Sequence, residues 1–138
     1  MSRRVFVDTS GWYALIDRRD DGHARTSSFV QDWLRSGGRL VSSDYVLDES
    51  FTLARARSGS RAAFRLMELI ERTAAVDLEW VGAERFARAR TMFRRYDDQT
   101  FSFTDCTSFV VMRELELTEA LTSDEHFRIA GFELVTAP

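Results

Sequence analysis

Four acidic side chains stand where a folding chain has little structural use for charge. Asp8 follows the strand-forming run Val5-Phe6-Val7 and precedes the apolar stretch Trp12-Tyr13-Ala14-Leu15-Ile16. Asp124 follows "ALTS" and opens "DEHFRIAG" in the same way. Glu49 lies in "YVLDESFTL" and Asp105 in "SFTDCTSFVVM". If the four converge, their chemistry is narrow. Two carboxylates about 4 Å apart repel by roughly 4 kcal/mol at an effective dielectric near 20. Gathering several therefore destabilises a fold unless a cation neutralises them. Oxygen ligands without cysteine or clustered histidine favour Mg²⁺ or Mn²⁺ over zinc. Such an ion, with waters left in its shell, is suited to phosphate-ester chemistry.

Each acid also has an ordinary structural reading. Asp8 and Asp124 are placed to cap the helices that follow them. Asp105 would complement a helix dipole in the first turn, and Glu49 would sit at an exposed edge. These readings account for the acids singly but not for four of them aimed at one rim.

The elements that must position them follow from periodicity and punctuation. Segments 3–7, 39–42, 75–81, 119–123 and 132–136 read as strands. Segments 9–18, 23–36, 44–57, 60–73, 83–96, 104–115 and 124–131 read as helices. Gly37-Gly38 and Gly59 act as breaks, with Ser60 and Thr104 as the expected N-caps. Strands alternating with helices imply a mainly parallel sheet covered on both faces. The expected fold is an α/β three-layer α/β/α sandwich with a sheet of about five strands, and residues 1–138 form one domain. In such sheets the ligand crevice lies beyond the carboxyl ends of the strands, which is where Asp8 and Asp124 fall. On a helical wheel Glu49 borders the apolar arc set by Val46 and Leu53, while its neighbour Asp48 points to the polar side. Asp105 shares a face with Ser108, Phe109 and Met112.

Composition excludes several classes. The net charge is −3, so there is no bulk basic character, yet all 19 basic residues are Arg and none is Lys. Arg is the better fork for phosphate, although coding bias gives the same usage. Cys106 is the only cysteine, which excludes an intrachain disulfide and a cysteine-based zinc cluster. No apolar run approaches the roughly 20 residues of a membrane span, and the N-terminus has no secretory h-region. The expected location is cytoplasmic.

Taken in order, "VDTSGW", Glu49 in "YVLDESFTL", "FTDCTSFVVM" and "ALTSDEHF" followed by "GFELV" resemble the PIN domain, and most nearly the VapC-type toxins of bacterial toxin–antitoxin pairs. The resemblance runs from Arg4 to Val135. It implies a metal-dependent endoribonuclease using Mg²⁺ or Mn²⁺, with Asp8, Glu49, Asp105 and Asp124 as both catalytic residues and metal ligands. Asp8 and Asp105 would be the principal ligands, Glu49 and Asp124 would complete the site directly or through water, and Thr9 or Ser10 would line it. It further implies an RNA substrate, a homodimer and a cognate antitoxin whose inhibitory segment carries Arg or Lys. One ion, or two about 3.5–4 Å apart, would activate water for in-line attack.

His23 and His126 read as structural or surface residues, His126 being the one nearer to a substrate. Asp97 and Asp98 read as a solvated loop. The Arg runs at 18–19, 55–65 and 88–95 are either solvated faces or a phosphate track. Tyr45, Phe51, Phe64, Met67 and Leu69 are among more apolar side chains than two helices need on one face, so some are expected to stay exposed.

Two rival readings remain. One is an aspartyl-phosphate enzyme with Asp8 as nucleophile. Position 10 is Ser where phosphatases of that kind carry a second Asp, and the late Lys of response-regulator receivers has no counterpart here. The other rival is a catalytically idle PIN-fold binding module, against which the intact acids argue.

Overall fold

The computed structural model describes residues 3–135. In chain order its elements are β1 (Arg4–Val7), α1 (Thr9–Ile16), α2 (His23–Arg35), β2 (Arg39–Ser43), α3 (Asp44–Ser58) and α4 (Ser60–Arg72). They continue with β3 (Val76–Glu79), α5 (Gly82–Arg95), α6 (Phe103–Glu114), β4 (Glu119–Leu121), α7 (Glu125–Ile129) and β5 (Glu133–Val135). Thr136, the last residue of the expected final strand, lies outside the described residues. The strand order is β3-β2-β1-β4-β5, and all four pairings are parallel. The expected α/β sandwich with a five-stranded parallel sheet is therefore the observed one.

Sequence and position agree closely in the sheet. Val5, Phe6 and Val7 are fully buried, as a central parallel strand covered on both faces requires. The chain moves from β1 to β2 on one side and reaches β4 on the other, so the order reverses between β1 and β4. That reversal is where open α/β sheets form their crevice. Helices α1 to α4 pack on one another, and α5 and α7 both pack on α6.

Two polar details fix the central turn. Trp12 Nε1 donates to Ser42 Oγ at 3.1 Å, and Ser42 Oγ donates to the Val7 carbonyl at 2.9 Å, so α1 is tied to β2 and β1 through buried groups. Gly11 has to be small: a Cβ there would lie 2.4 Å from the Leu121 carbonyl oxygen. The first turn of α1 thus lies directly against the end of β4.

The helix starts differ from expectation at two places. Thr104 is not the cap of α6; Ser102 is, because its hydroxyl accepts from the Asp105 N–H at 2.9 Å while Asp105 Oδ2 accepts from the Ser102 N–H at 3.0 Å. This reciprocal capping box closes both orphan donors at once. Ser60 is not the cap of α4 either; Gly59 holds that position at φ 89°, and Ser60 is the first helical residue. The expected apolar excess on α3 and α4 is partly real. Phe64 and Leu69 are exposed, while Leu47 and Leu66 fill the core.

Candidate active site

Asp8 occupies the N-cap position of α1, yet its side chain makes no capping bond. Its Oδ2 instead accepts from Thr122 Oγ1 at 3.0 Å, across the β1–β4 junction. The carboxylate is thus tied to the end of β4 as well as to the turn it stands in. It is only 5% exposed. Burial raises its pKa from 3.8 to about 7; the Thr9 N–H and the Thr122 hydroxyl pull it down, and the charges of Asp105 and Asp124 push it up. Three acids from three elements are thus electrostatically coupled.

Asp105 is buried at the third position of α6 and is raised as well, first by burial and then by Asp124; the Ser102 N–H and His126 oppose the rise. Its place is set by the capping box and by Phe103, whose ring packs on Phe86 at 5.1 Å and Phe93 at 5.8 Å. Asp124 does cap its helix: Oδ1 accepts from the His126 N–H at 2.9 Å, and its own N–H donates to Thr122 Oγ1 at 3.0 Å. Five residues are too few for a helix to stand alone. Helix α7 is pinned by fully buried Phe127, which packs edge-on against Phe109 at 5.0 Å.

Glu49 stands one step outside this trio. It is exposed, as is Asp48, so exposure does not separate the two. The separation lies in bonding: Glu49 Oε1 accepts from Thr9 Oγ1 at 2.6 Å. Glu49, Asp8 and Asp124 line one cleft of about 640 Å³, which also reaches Arg25 and Arg57. Ser10 closes the hydroxyl chain. Thr122 gives its proton to Asp8, so Ser10 Oγ, 3.0 Å away, donates to Thr122 and accepts from the Ser123 N–H at 2.9 Å.

The donor chemistry fits a hard divalent cation. Carboxylate oxygens dominate, two of the acids are raised by burial and then by neighbouring carboxylates, and a positive ion offsets both effects. Among the described residues, one ligand atom each from Asp105, Asp124 and His126 falls within 4.8 Å of the others.

A PIN-domain family model matches residues 5–133. The chain belongs to the PIN-domain family. The 23S rRNA-specific endonuclease VapC20 of Mycobacterium tuberculosis is 36% identical over 128 residues, spanning 93% of this chain and 95% of the relative. Its crystal structure, described as that of a sarcin–ricin loop cleaving toxin, matches with a TM-score of 0.84 at 34% identity, over 93% of this chain and 95% of that one. VapBC2 from Rickettsia felis, bound to a promoter DNA fragment, shares the fold at TM-score 0.65 and 12% identity, over 95% and 96% of the two chains. FitAcB from Neisseria gonorrhoeae does so at 0.60 and 14%, over 94% and 95%.

Within this PIN fold, two residues touch the site that the sequence pattern alone does not single out. Thr122 bonds three site groups, and its signal was the symmetry of "TSD" after β4 with "DTS" after β1. His126, the histidine expected to lie nearer to a substrate, has Nδ1 3.1 Å from Asp105 Oδ2 and 3.4 Å from Asp124 Oδ1. Its signal was the two-residue spacing from Asp124 on a one-turn helix. His23 fits its structural reading, with Nδ1 2.7 Å from the Ala14 carbonyl oxygen.

Proposed function

We propose that this PIN-domain chain is an endoribonuclease dependent on Mg²⁺ or Mn²⁺, acting as the toxin of a toxin–antitoxin pair. The observation that carries the reading is a shared set of contacts among acids at the starts of three helices: Thr122 bonds both Asp8 and the Asp124 N–H, and His126 lies against both Asp105 and Asp124. The 36% identity to an rRNA endonuclease over 93% of this chain supports it.

Asp8, Asp105 and Asp124 would hold the cation, and Glu49, reached through Thr9, would serve as an outer acceptor at the rim. A divalent cation bound there would supply polarisation of a phosphodiester and a more acidic water. The chain's own contribution is placement. Thr122 fixes the Asp8 carboxylate, Ser102 fixes Asp105, and the cap of α7 fixes Asp124. The cleft admits a strand of RNA past Glu49 toward Arg25 and Arg57, whose guanidinium groups suit phosphate oxygens.

The first substrate to try is 23S rRNA carrying the sarcin–ricin loop, because the relative acts on it. The protein works in the cytoplasm, as a homodimer held inactive by an antitoxin. Among the described residues, no helix is long and apolar enough to cross a membrane. In a cleavage assay, Mn²⁺ or Mg²⁺ should support site-specific scission, and EDTA or Asp8→Asn should abolish it. Equal cleavage by Asp8→Asn and the parent with the same metal would refute the assignment of the site.

A further inference from the structure

His126 is held at every side of its ring. Phe101 packs edge-on at 5.3 Å, Nε2 lies 3.0 Å from Thr100 Oγ1, and Nδ1 faces Asp105 and Asp124. Adjacent donors around an octahedral ion with bonds of about 2.1 Å stand about 3.0 Å apart. The 3.1 Å and 3.4 Å separations of Nδ1 from the two carboxylates match that spacing. A metal-ligating imidazole almost always has its second nitrogen fixed by an outer partner that sets the tautomer. Thr100 is placed for that role: in the tautomer whose Nε2–H donates to its hydroxyl, the Nδ1 lone pair faces the carboxylates, whereas in the other tautomer Nδ1–H donates to Asp105. In the first tautomer three electron-rich atoms face one another and repel unless a cation lies between them.

We propose that His126 Nδ1 is a nitrogen ligand of the divalent cation, forming with Asp105 and Asp124 a mixed oxygen–nitrogen site that favours Mn²⁺ over Mg²⁺. The inference rests on the metal reading above and adds a ligand and an ion preference to it. Mg²⁺ is satisfied by carboxylate and water, and gains little from imidazole. Imidazole suits the later transition-metal ions best, and Mn²⁺, the weakest binder of that series, still takes a nitrogen donor more readily than Mg²⁺ does. A site with one nitrogen donor therefore separates two ions that an all-oxygen site treats similarly.

The chain has two histidines, and His23, at the start of α2, is engaged with the Ala14 carbonyl of α1. Any histidine nitrogen coupled to bound Mn²⁺ thus reports on His126. Untagged protein loaded with one equivalent of MnCl₂ should show ¹⁴N modulation in pulsed EPR, changed to a ¹⁵N pattern by ¹⁵N-histidine labelling. His126→Gln should lose it. In parallel titrations, His126→Gln should weaken Mn²⁺ roughly tenfold or more while Mg²⁺ changes much less. Parent protein that binds Mn²⁺ without nitrogen modulation would make His126 only a hydrogen-bond partner, and the nuclease reading would stand. Parent protein that binds no Mn²⁺ would remove both. The labelling arm needs no variant, so a His126→Gln chain that fails to fold leaves the outcome decided.

Discussion

At the scale of single residues, Asp8 carries the most chemical information. Its carboxyl is raised from 3.8 to about 7 by burial first, so without metal the folded chain holds this proton where the unfolded chain has lost it. Between those two values the folded state binds more protons, and stability falls as pH rises through the window. Asp8→Asn lacks this dependence. In EDTA, the melting temperature of Asp8→Asn minus that of the parent should grow in the variant's favour from about pH 4 to pH 7, then level off. A difference that stays flat would mean Asp8 is not the raised group. Glu49 and Asp48 make a second residue-scale contrast. Glu49→Gln removes the carboxylate that Thr9 orients, and it should cut RNA cleavage by orders of magnitude, whereas Asp48→Asn should be near neutral. Equal losses from the two would put the helix phase in error. The four acids stand out in the sequence because each follows or faces a boundary that periodicity reveals. The contacts of Thr122 and His126 do not, since they depend on β4 and α7 being brought against β1 and α6. No local pattern encodes that meeting.

At the scale of elements, the helices and strands were nearly all visible in the sequence, and their caps were less so. "TFSFTD" offers three hydroxyls, and what selects Ser102 is the return bond from Asp105 three residues later. Gly59 displaces Ser60 because the α3–α4 corner needs φ 89°, which a glycine adopts freely. These details separate stability from function. Ser102→Ala deletes the hydroxyl that caps α6 but keeps the backbone N–H that holds Asp105. It should cost about 1 kcal/mol, read as a lower melting temperature, with metal affinity largely retained. Gly11→Ala is different. The new Cβ would meet the Leu121 carbonyl at 2.4 Å, forcing α1 away from β4 and carrying Asp8 away from Thr122. It should cost roughly 1–3 kcal/mol and weaken Mn²⁺ binding as well. A Gly11→Ala protein with parental metal affinity would show that the turn yields without moving the site.

At the scale of the whole molecule, the surface and the site lead to one expectation about partners. Phe64 is 56% exposed and Leu69 39% on α4, and Trp80 is 69% exposed after β3. Scattered singly these would be ordinary; Phe64 and Leu69 share one helix beside the cleft-lining helices α1 and α3, where a bound segment would cover them. That segment would end near a site whose carboxylates repel one another. An Arg or Lys delivered there would favour the ionised form of Asp8, as an opposite charge does, and would take the place of the cation. The complex should then be stable without metal. Free protein should gain melting temperature when Mn²⁺ is added, because an ion that binds only the folded state stabilises by about 2.7 kcal/mol at one hundred times its dissociation constant. The copurified complex should show a much smaller gain, and EDTA should leave it nearly unchanged. The growth defect expected on expressing this chain should disappear when a cognate antitoxin is co-expressed, and return when that antitoxin's inhibitory Arg or Lys becomes Ala. Equal metal dependence in free and complexed protein would rule out the electrostatic account of inhibition. No growth defect, together with no copurifying partner and a monomer by light scattering, would remove the toxin role and leave a nuclease alone.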